Sequence, residues 1–145
     1  MKYAIIAAAC ILALLLCSCR TKEQSEPEPP VTQTVTFHNG VKDADVWILP
    51  DTEANRKTTV WGTATAAKVK TGEDRETPLC APGDNGLYLF RMIDTDSFYY
   101  SASGIELKAG WTMRLTGEDL NSIMLAVTDE NGALQRSYEV FAARL

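Results

Sequence analysis

Leu87-Tyr88-Leu89-Phe90-Arg91-Met92-Ile93, followed by Asp94-Thr95-Asp96-Ser97 and Phe98-Tyr99-Tyr100-Ser101, is the stretch that decides the fold. Its first seven residues are apolar on both faces apart from Arg91, which is typical of a strand buried inside a sandwich. Four turn-forming residues separate that strand from an aromatic one. The stretch therefore predicts a β-hairpin in the centre of an all-β domain.

Short strand-like runs separated by turn residues continue on both sides of this hairpin, at a spacing of roughly 8 to 12 residues. That spacing favours an immunoglobulin-like antiparallel β-sandwich of about eight or nine strands. Beyond the hairpin, strands are predicted over residues 34–37, 45–49, 58–61, 105–107, 111–115, 122–128 and 134–141.

Two local features need separate predictions. Residues 63–82 are polar and predict a long loop with a helical turn over 65–69, followed by an edge strand that tolerates Pro78. Asn131-Gly132 lies between the last two predicted strands. This dipeptide favours a type I′ hairpin turn, which needs two residues with positive φ.

The amino terminus has the parts of an export signal, with Lys2 ahead of an apolar run over residues 4–16. Because a spanning helix needs about 20 apolar residues, a cleaved signal is favoured over an uncleaved anchor. The run closes on Leu16-Cys17-Ser18-Cys19, which resembles the lipobox of bacterial lipoproteins. Cys19 fits that pattern best, and Cys17 is second because Leu16 would then occupy the position of a small residue. An ordinary secretory signal with incidental cysteines is the remaining alternative.

The lipobox resemblance implies that residues 1–18 are removed and that Cys19 carries a diacylglycerol and an N-acyl chain such as palmitate. Two or three chains give a stable membrane anchor, whereas a single chain binds only marginally. Arg20 in place of Asp resembles the pattern sent to the outer membrane when the host has two membranes. We therefore expect an extracytoplasmic, membrane-anchored protein of the cell envelope.

Three segments follow from these patterns: a signal peptide over 1–18, a lipidated Cys with a flexible Pro/Glu linker over 19–31, and a β-sandwich domain over 32–145. Residues 20–30 contain three prolines, three glutamates and no large apolar residue. Such a composition predicts a disordered tether. At ~3.1 Å per residue it would span about 35 Å.

Charge and cysteine content exclude two classes of protein. Residues 19–145 hold 13 basic and 19 acidic residues without a basic cluster, which argues against a nucleic-acid partner. Once Cys19 is lipidated, Cys80 is the only thiol, so no internal disulfide is expected. We predict that Cys80 is a small buried apolar residue.

Residues 34 to about 115 resemble a domain of uncharacterised extracytoplasmic bacterial proteins. The matching positions are Phe37 and Asn39, Ile48-Leu49-Pro50, Trp61-Gly62, Tyr88, Arg91, Asp94, and Tyr99 or Tyr100. The sequence departs from that pattern at Leu49, where Ser is usual, and at Ser97, where Gly is usual. The resemblance implies a sandwich and an extracytoplasmic location, and it implies no catalytic residue.

Catalytic constellations are absent from the sequence. His38 is the only histidine, so neither a His-based nucleophile system nor a multi-histidine zinc site can be assembled. We predict no enzyme activity, no metal site, and no cofactor besides the lipid on Cys19. A calcium-dependent adhesion module is a lesser alternative, because loop acids occur in Asp84-Asn85, Asp94-Thr95-Asp96 and Asp129-Glu130-Asn131.

Large aromatic residues supply the candidate binding surface. Aromatic side chains dominate many binding energies, although a sandwich without disulfides also needs them in its core. The candidates are Trp47, Trp61, Tyr99, Tyr100 and Trp111. We expect a lipid-anchored, non-catalytic interaction or structural module whose partner is an envelope protein or a glycan. The alternative is a glycan- or small-molecule-binding protein, which needs a concave pocket with converging polar groups.

Overall fold

The predicted central hairpin is present and organises one of two sheets. In the computed structural model, which describes residues 32–145, β5 (Tyr88–Asp94) pairs antiparallel with β6 (Phe98–Ile105). The predicted signal peptide over 1–18, Cys19 and the predicted linker lie outside the described residues. Residues Thr32–Leu145 form one compact unit.

Within residues 32–145, ten strands form two five-stranded sheets. Across sheet A the order is β4 (Asp74–Pro78), β1 (Thr34–Asn39), β7 (Thr112–Thr116), β8 (Met124–Thr128) and β9 (Leu134–Glu139). Across sheet B it is β10 (Phe141–Arg144), β6, β5, β2 (Ala44–Pro50) and β3 (Ala66–Val69). The predicted all-β sandwich is thus confirmed. Its pairs are antiparallel except β1 and β7, which run parallel with Phe37 opposite Met113.

The core lies between the sheets and comes from alternate residues of each strand. Strand β1 buries every second residue, including Val35 and Phe37. The ring of Phe37 lies 5.7 Å from that of Phe90, which β5 contributes from the opposite sheet. Strand β5 buries nearly all its residues, on both faces, so its outer face must also be covered.

The cover over that outer face comes from a segment predicted as a strand. Residues 58–61 are not a strand: they follow α1 (Glu53–Lys57), a single helix of five residues that begins after Thr52. The Thr52 hydroxyl accepts a hydrogen bond from the backbone N–H of Asn55 and caps the helix. The β-branched residues of this segment therefore have no strand partner, and the segment packs across sheet B through Trp61.

The stretch from 63 to 82 contains two strands. The helical turn predicted over 65–69 is wrong, because β3 pairs there with β2. Lys68 takes a positive φ of 53°, and its N–H donates to the Asp45 carboxylate at 2.7 Å. The predicted edge strand is confirmed: β4 lies at the edge of sheet A and ends at Pro78, where a missing N–H costs no ladder bond.

Two predicted strands are connected differently from expectation. Ile105 is the last residue of β6 and does not begin a separate strand over 105–107. The chain then crosses from sheet B to β7 in sheet A. The predicted strand over 134–141 divides at Val140 into β9 and β10, which belong to different sheets.

Two hairpin turns share one construction. Asp94 Oδ1 accepts hydrogen bonds from the N–H groups of Asp96 and Phe98, both at 2.9 Å. Asp129 Oδ1 accepts in the same way from residues 131 and 133 at the turn joining β8 to β9. One residue per turn has positive φ, Ser97 at 64° and Gly132 at 79°. The predicted type I′ turn is wrong because Asn131 keeps a negative φ, so Gly132 alone completes a type I turn with a bulge.

Ser97 occupies a backbone conformation that favours glycine. We expect Ser97→Gly to raise the free energy of unfolding by about 0.5 to 1 kcal/mol, because relief of the left-handed strain exceeds the added chain entropy. Urea denaturation measures this change. Ser101→Gly, in the interior of β6, is the control and should lower stability by a similar amount. A loss of stability in Ser97→Gly would contradict the strain argument.

Candidate functional site

Three of the five predicted surface aromatics meet on the outer face of sheet B. Trp47 and Trp61 pack edge to face with ring centroids 5.2 Å apart. Trp61 and Tyr99 lie 5.3 Å apart at an angle of 31°. Trp47 comes from β2 and Tyr99 from β6, whose neighbouring residues Ile48 and Tyr100 point into the core, so alternation along each strand turns Trp47 and Tyr99 outward.

Arg91 lies in the middle of these aromatics. It is a residue of β5 opposite Trp47 on β2, and only 5% of its surface is exposed. Its guanidinium carbon lies 4.7 Å from the ring centroid of Trp61 and 5.8 Å from that of Tyr99. Cations over aromatic faces are attracted to them, most strongly when desolvated.

The Arg91 guanidinium also holds the end of α1. Its Nη1 donates to the carbonyl of Thr58 at 3.0 Å, and its Nη2 donates to those of Asn55 and Arg56 at 3.0 and 2.9 Å. These carbonyls lie at the helix carboxyl terminus, where a cation is favoured. The buried Nε of Arg91 has no hydrogen-bond partner among the described residues. Arg91 thus carries a positive charge that is met by carbonyl dipoles and aromatic faces.

A second ion pair fixes α1 from its other side. The Asp51 side chain is fully buried and accepts from Arg56 Nε at 2.5 Å and from the Gly104 N–H at 2.7 Å. The hydrogen bond from Arg56 and that from Gly104 lower the pKa of Asp51 below its ordinary value of 3.8, against the opposing effect of burial. Asp51 therefore joins the helix to the bulge in β6.

These elements enclose a cleft of about 490 Å³, named here the aromatic cleft. This volume falls within the range of roughly 300 to 1,000 Å³ usual for small-molecule sites. The walls include Trp47, Trp61 and Tyr99, and the charged lining residues are Arg56, Lys57 and Arg91. Its lining contains no side-chain carboxylate. Arg56 and Lys57 are 51% and 74% exposed, so they stand at the mouth.

A larger open depression adjoins the aromatic cleft. This side groove, of about 920 Å³, is bordered by Tyr99, Ser101, Ser103, Arg136, Tyr138 and Phe141. Tyr99 belongs to both depressions. The Phe141 ring, in β10, lies 6.5 Å from that of Tyr99 and is 64% exposed. An aromatic row therefore runs from Trp61 through Tyr99 to Phe141.

The other two predicted surface aromatics do not belong to this surface. Tyr100 points into the core, is 2% exposed and donates its hydroxyl to Asp94 Oδ2 at 2.8 Å. Burial, chiefly, raises the pKa of Tyr100. Trp111 precedes β7 in sheet A, is buried, and donates Nε1–H to Glu130 at 3.1 Å. Both predictions are corrected because these side chains pack inside the sandwich.

Several residues of the site were absent from the predicted surface, among them Arg56, Lys57, Arg91 and Phe141. Arg91 entered the sequence analysis only through the family resemblance, although a lone charge in an apolar strand is itself a signal. Arg56 and Phe141 offered no comparable signal, because both depend on contacts between distant segments.

Among the loop acids, Asp94, Asp96, Asp129 and Glu130 all contact other groups of the protein. Asp94 and Asp129 each accept two backbone N–H bonds at their turns. His38 Nδ1 lies 2.6 Å from Asp74 across the pair of β1 and β4. Among residues 32–145 no group of three His, Cys, Asp or Glu side chains is placed to hold a metal ion.

Cys80 is exposed, so the prediction of a buried thiol is wrong. The residue follows β4 in a surface segment, and its thiol makes a long contact of 3.7 Å with the carbonyl of Ile48. Partial burial raises the pKa of the Cys80 thiol. Within residues 32–145 no helix has the length and apolar content needed to cross a bilayer.

Protonation of Asp51 is expected to weaken the attachment of α1. Because the folded-state pKa is lowered, the stabilisation from Asp51 is full above pH 3.8 and is lost as the pH falls through the folded value. Asp51→Asn should cost about 1 to 3 kcal/mol at pH 7. In urea denaturation, the difference in the free energy of unfolding between this variant and the unaltered protein should decrease as the pH is lowered. The exposed Asp84→Asn serves as control, and a difference that does not vary with pH would contradict the assignment.

Arg91→Lys should release α1 and the segment that carries Trp61. One ammonium cannot reach three carbonyls or stack as a plane, so we expect a loss of about 2 to 4 kcal/mol. Hydrogen exchange should accelerate more at the amides of residues 53–62 than in the hairpin of β8 and β9. The control substitution Arg144→Lys, at an exposed position, should change neither the free energy of unfolding nor the exchange rates. Uniform acceleration across both regions would be inconsistent with a local role.

Comparison with protein-family models, with curated proteins and with solved structures gave no match. The resemblance to extracytoplasmic bacterial domains therefore stays a prediction from the sequence.

Proposed function

We propose that the protein is a lipid-anchored, non-catalytic binding module of the bacterial cell envelope, positioned by Cys19 and binding through the aromatic cleft. The observation that carries the anchoring is Leu16-Cys17-Ser18-Cys19 at the end of a 13-residue apolar run. Lipid on Cys19 would hold the chain at a membrane surface. If the host has two membranes, we propose that the lipid anchor lies in the outer one.

The order of segments supports this proposal. Eleven residues rich in proline and glutamate follow Cys19, and the compact unit begins at Thr32. A composition of this kind keeps a domain at a distance from the surface that anchors it. The proposed arrangement is therefore a lipid anchor, a spacer and a sandwich that presents a binding surface.

The chemistry of the aromatic cleft favours binding over catalysis. Its polar side-chain groups are the cations Arg56, Lys57 and Arg91, threonine hydroxyls, the Tyr99 hydroxyl and two indole N–H groups. General acid–base catalysis needs a group that titrates near the working pH, and the cleft lining holds neither histidine nor a side-chain carboxylate. Aromatic rings and arginine are the residue types that contribute most to binding surfaces.

The anchoring proposal is tested by Cys19→Ala in the full-length chain. We expect this variant to lose incorporation of labelled palmitate and to remain an unprocessed precursor that keeps residues 1–18. Cys17→Ala and Cys10→Ala are matched controls that should be lipidated and cleaved normally. Unchanged palmitate incorporation and processing of Cys19→Ala would overturn the assignment.

A further inference from the structure

We propose that the aromatic cleft binds a carboxylated sugar residue of an acidic glycan. This inference rests on the proposed function of a binding module and names the class of its ligand. Three features of the site carry it: partly exposed aromatic rings, a buried cation without a carboxylate partner, and a neighbouring groove that can hold further residues of a polymer.

The aromatic walls provide a surface for sugar rings. A pyranose presents a face of C–H groups that packs against an aromatic ring, while its hydroxyls point sideways to polar groups. Trp61 and Tyr99 are only partly buried and both border the aromatic cleft. Thr59, also in the lining, is exposed and its hydroxyl has no hydrogen-bond partner among residues 32–145. The cleft thus combines apolar area with a free hydroxyl for a hydroxylated ligand.

The balance of charge favours an anionic sugar over a neutral one. Residues 32–145 contain 16 acidic and 11 basic residues, yet three basic side chains and no carboxylate side chain line the cleft. Arg56 is neutralised by buried Asp51, whereas Arg91 has no carboxylate among its hydrogen-bond partners. A carboxylate in the cleft would complement this charge, which is weakly screened at a buried site.

Lys57 is placed to contact that carboxylate directly. Its ammonium pairs with Glu53 four residues earlier, and both side chains are more than 70% exposed. Exposed pairs of this kind contribute little to stability, so Lys57 can exchange Glu53 for a ligand carboxylate at small cost. Leu145 also borders the cleft.

The neighbouring side groove favours a polymer over an isolated sugar. Tyr99 is shared by both depressions, and Phe141 continues the aromatic row with most of its ring exposed. A chain seated on Trp61 and Tyr99 would therefore meet a further aromatic ring and the hydroxyls of Ser101 and Ser103.

The position of the cleft disfavours an acidic peptide as the ligand. Extended peptides commonly bind by adding a strand to an open sheet edge, where main-chain groups are unpaired. The aromatic cleft lies instead over β5 and β2, which are paired on both sides within sheet B. A peptide there would find few backbone partners, whereas a glycan uses side-chain donors and aromatic faces.

Binding is measured by calorimetry with the purified full-length protein in detergent micelles. The probes are oligosaccharides of alginate, polygalacturonate and hyaluronan, each compared with its carboxyl-reduced counterpart, and poly-L-glutamate represents a peptide polyanion. We expect at least one carboxylated oligosaccharide to bind. The Kd of its carboxyl-reduced form should be higher by a factor of about ten or more. Poly-L-glutamate should bind no more tightly than this reduced form.

Variants locate the binding in the cleft. Trp61→Ala should raise the Kd for the bound oligosaccharide by a factor of about ten or more, as expected for a central aromatic contact. Lys57→Gln should raise the same Kd about threefold and reduce its dependence on salt. Because Lys57 is exposed, this substitution should leave folding intact. Leu134→Ala removes an exposed apolar side chain of β9 in sheet A and should leave binding unchanged.

Each contrary outcome has a distinct meaning. Equal binding of carboxylated and reduced oligosaccharides would overturn the claim that the ligand is acidic. Binding of poly-L-glutamate as tight as that of the carboxylated oligosaccharide would overturn the claim that the ligand is a glycan. Absence of binding to all three polymers, or binding that survives both cleft variants, would overturn the inference as a whole. Lipidation of Cys19 is measured separately, so its failure would remove the proposed anchoring and leave the result on the ligand intact.

Discussion

The outer face of sheet B depends on the guanidinium of Arg91, which is buried between the mostly apolar strand β5 and the segment that covers it. Burial of a charge is costly unless the charge is paired or hydrogen-bonded, and here the carbonyls of Asn55, Arg56 and Thr58 accept hydrogen bonds from both Nη atoms. These carbonyls are free to accept the hydrogen bonds because α1 ends at this point. The charge and the helix therefore stabilise each other: without the helix the guanidinium would be unpaired, and without the guanidinium five residues would not hold a helix.

The same contact builds the candidate site. By fixing the end of α1, Arg91 directs the following segment across the sheet, so that Trp61 reaches Trp47 and Tyr99. The Asp51 carboxylate holds the other side of the helix through Arg56 and the Gly104 N–H. The aromatic cleft is consequently a product of packing on top of the sheet. Three of its lining residues, Trp47, Arg91 and Tyr99, lie on paired strands of sheet B, a condition that favours precise recognition.

Sequence reasoning succeeded where the pattern is local and strong. The hairpin of β5 and β6, the hairpin of β8 and β9, and the edge strand ending at Pro78 were predicted from apolar runs and turn residues. It failed over residues 58–61, because β-branched residues indicate a strand only if a partner strand is available. It also failed at Asn131, where the Asp129 carboxylate selects a different turn. Among the surface aromatics, alternation alone could not distinguish the outward Trp47 from the inward Trp111.

The sequence by itself determined the all-β class, the central hairpin and the presence of a lipobox-like segment, since each follows from residues close together in the chain. Only the tertiary structure decided that β1 and β7 run parallel, that β9 and β10 belong to different sheets, and that Trp61, Arg91, Tyr99 and Phe141 share one face. The physical reason is that these contacts join segments far apart in sequence. Their formation depends on how all ten strands bury their apolar faces together, and no local pattern encodes that.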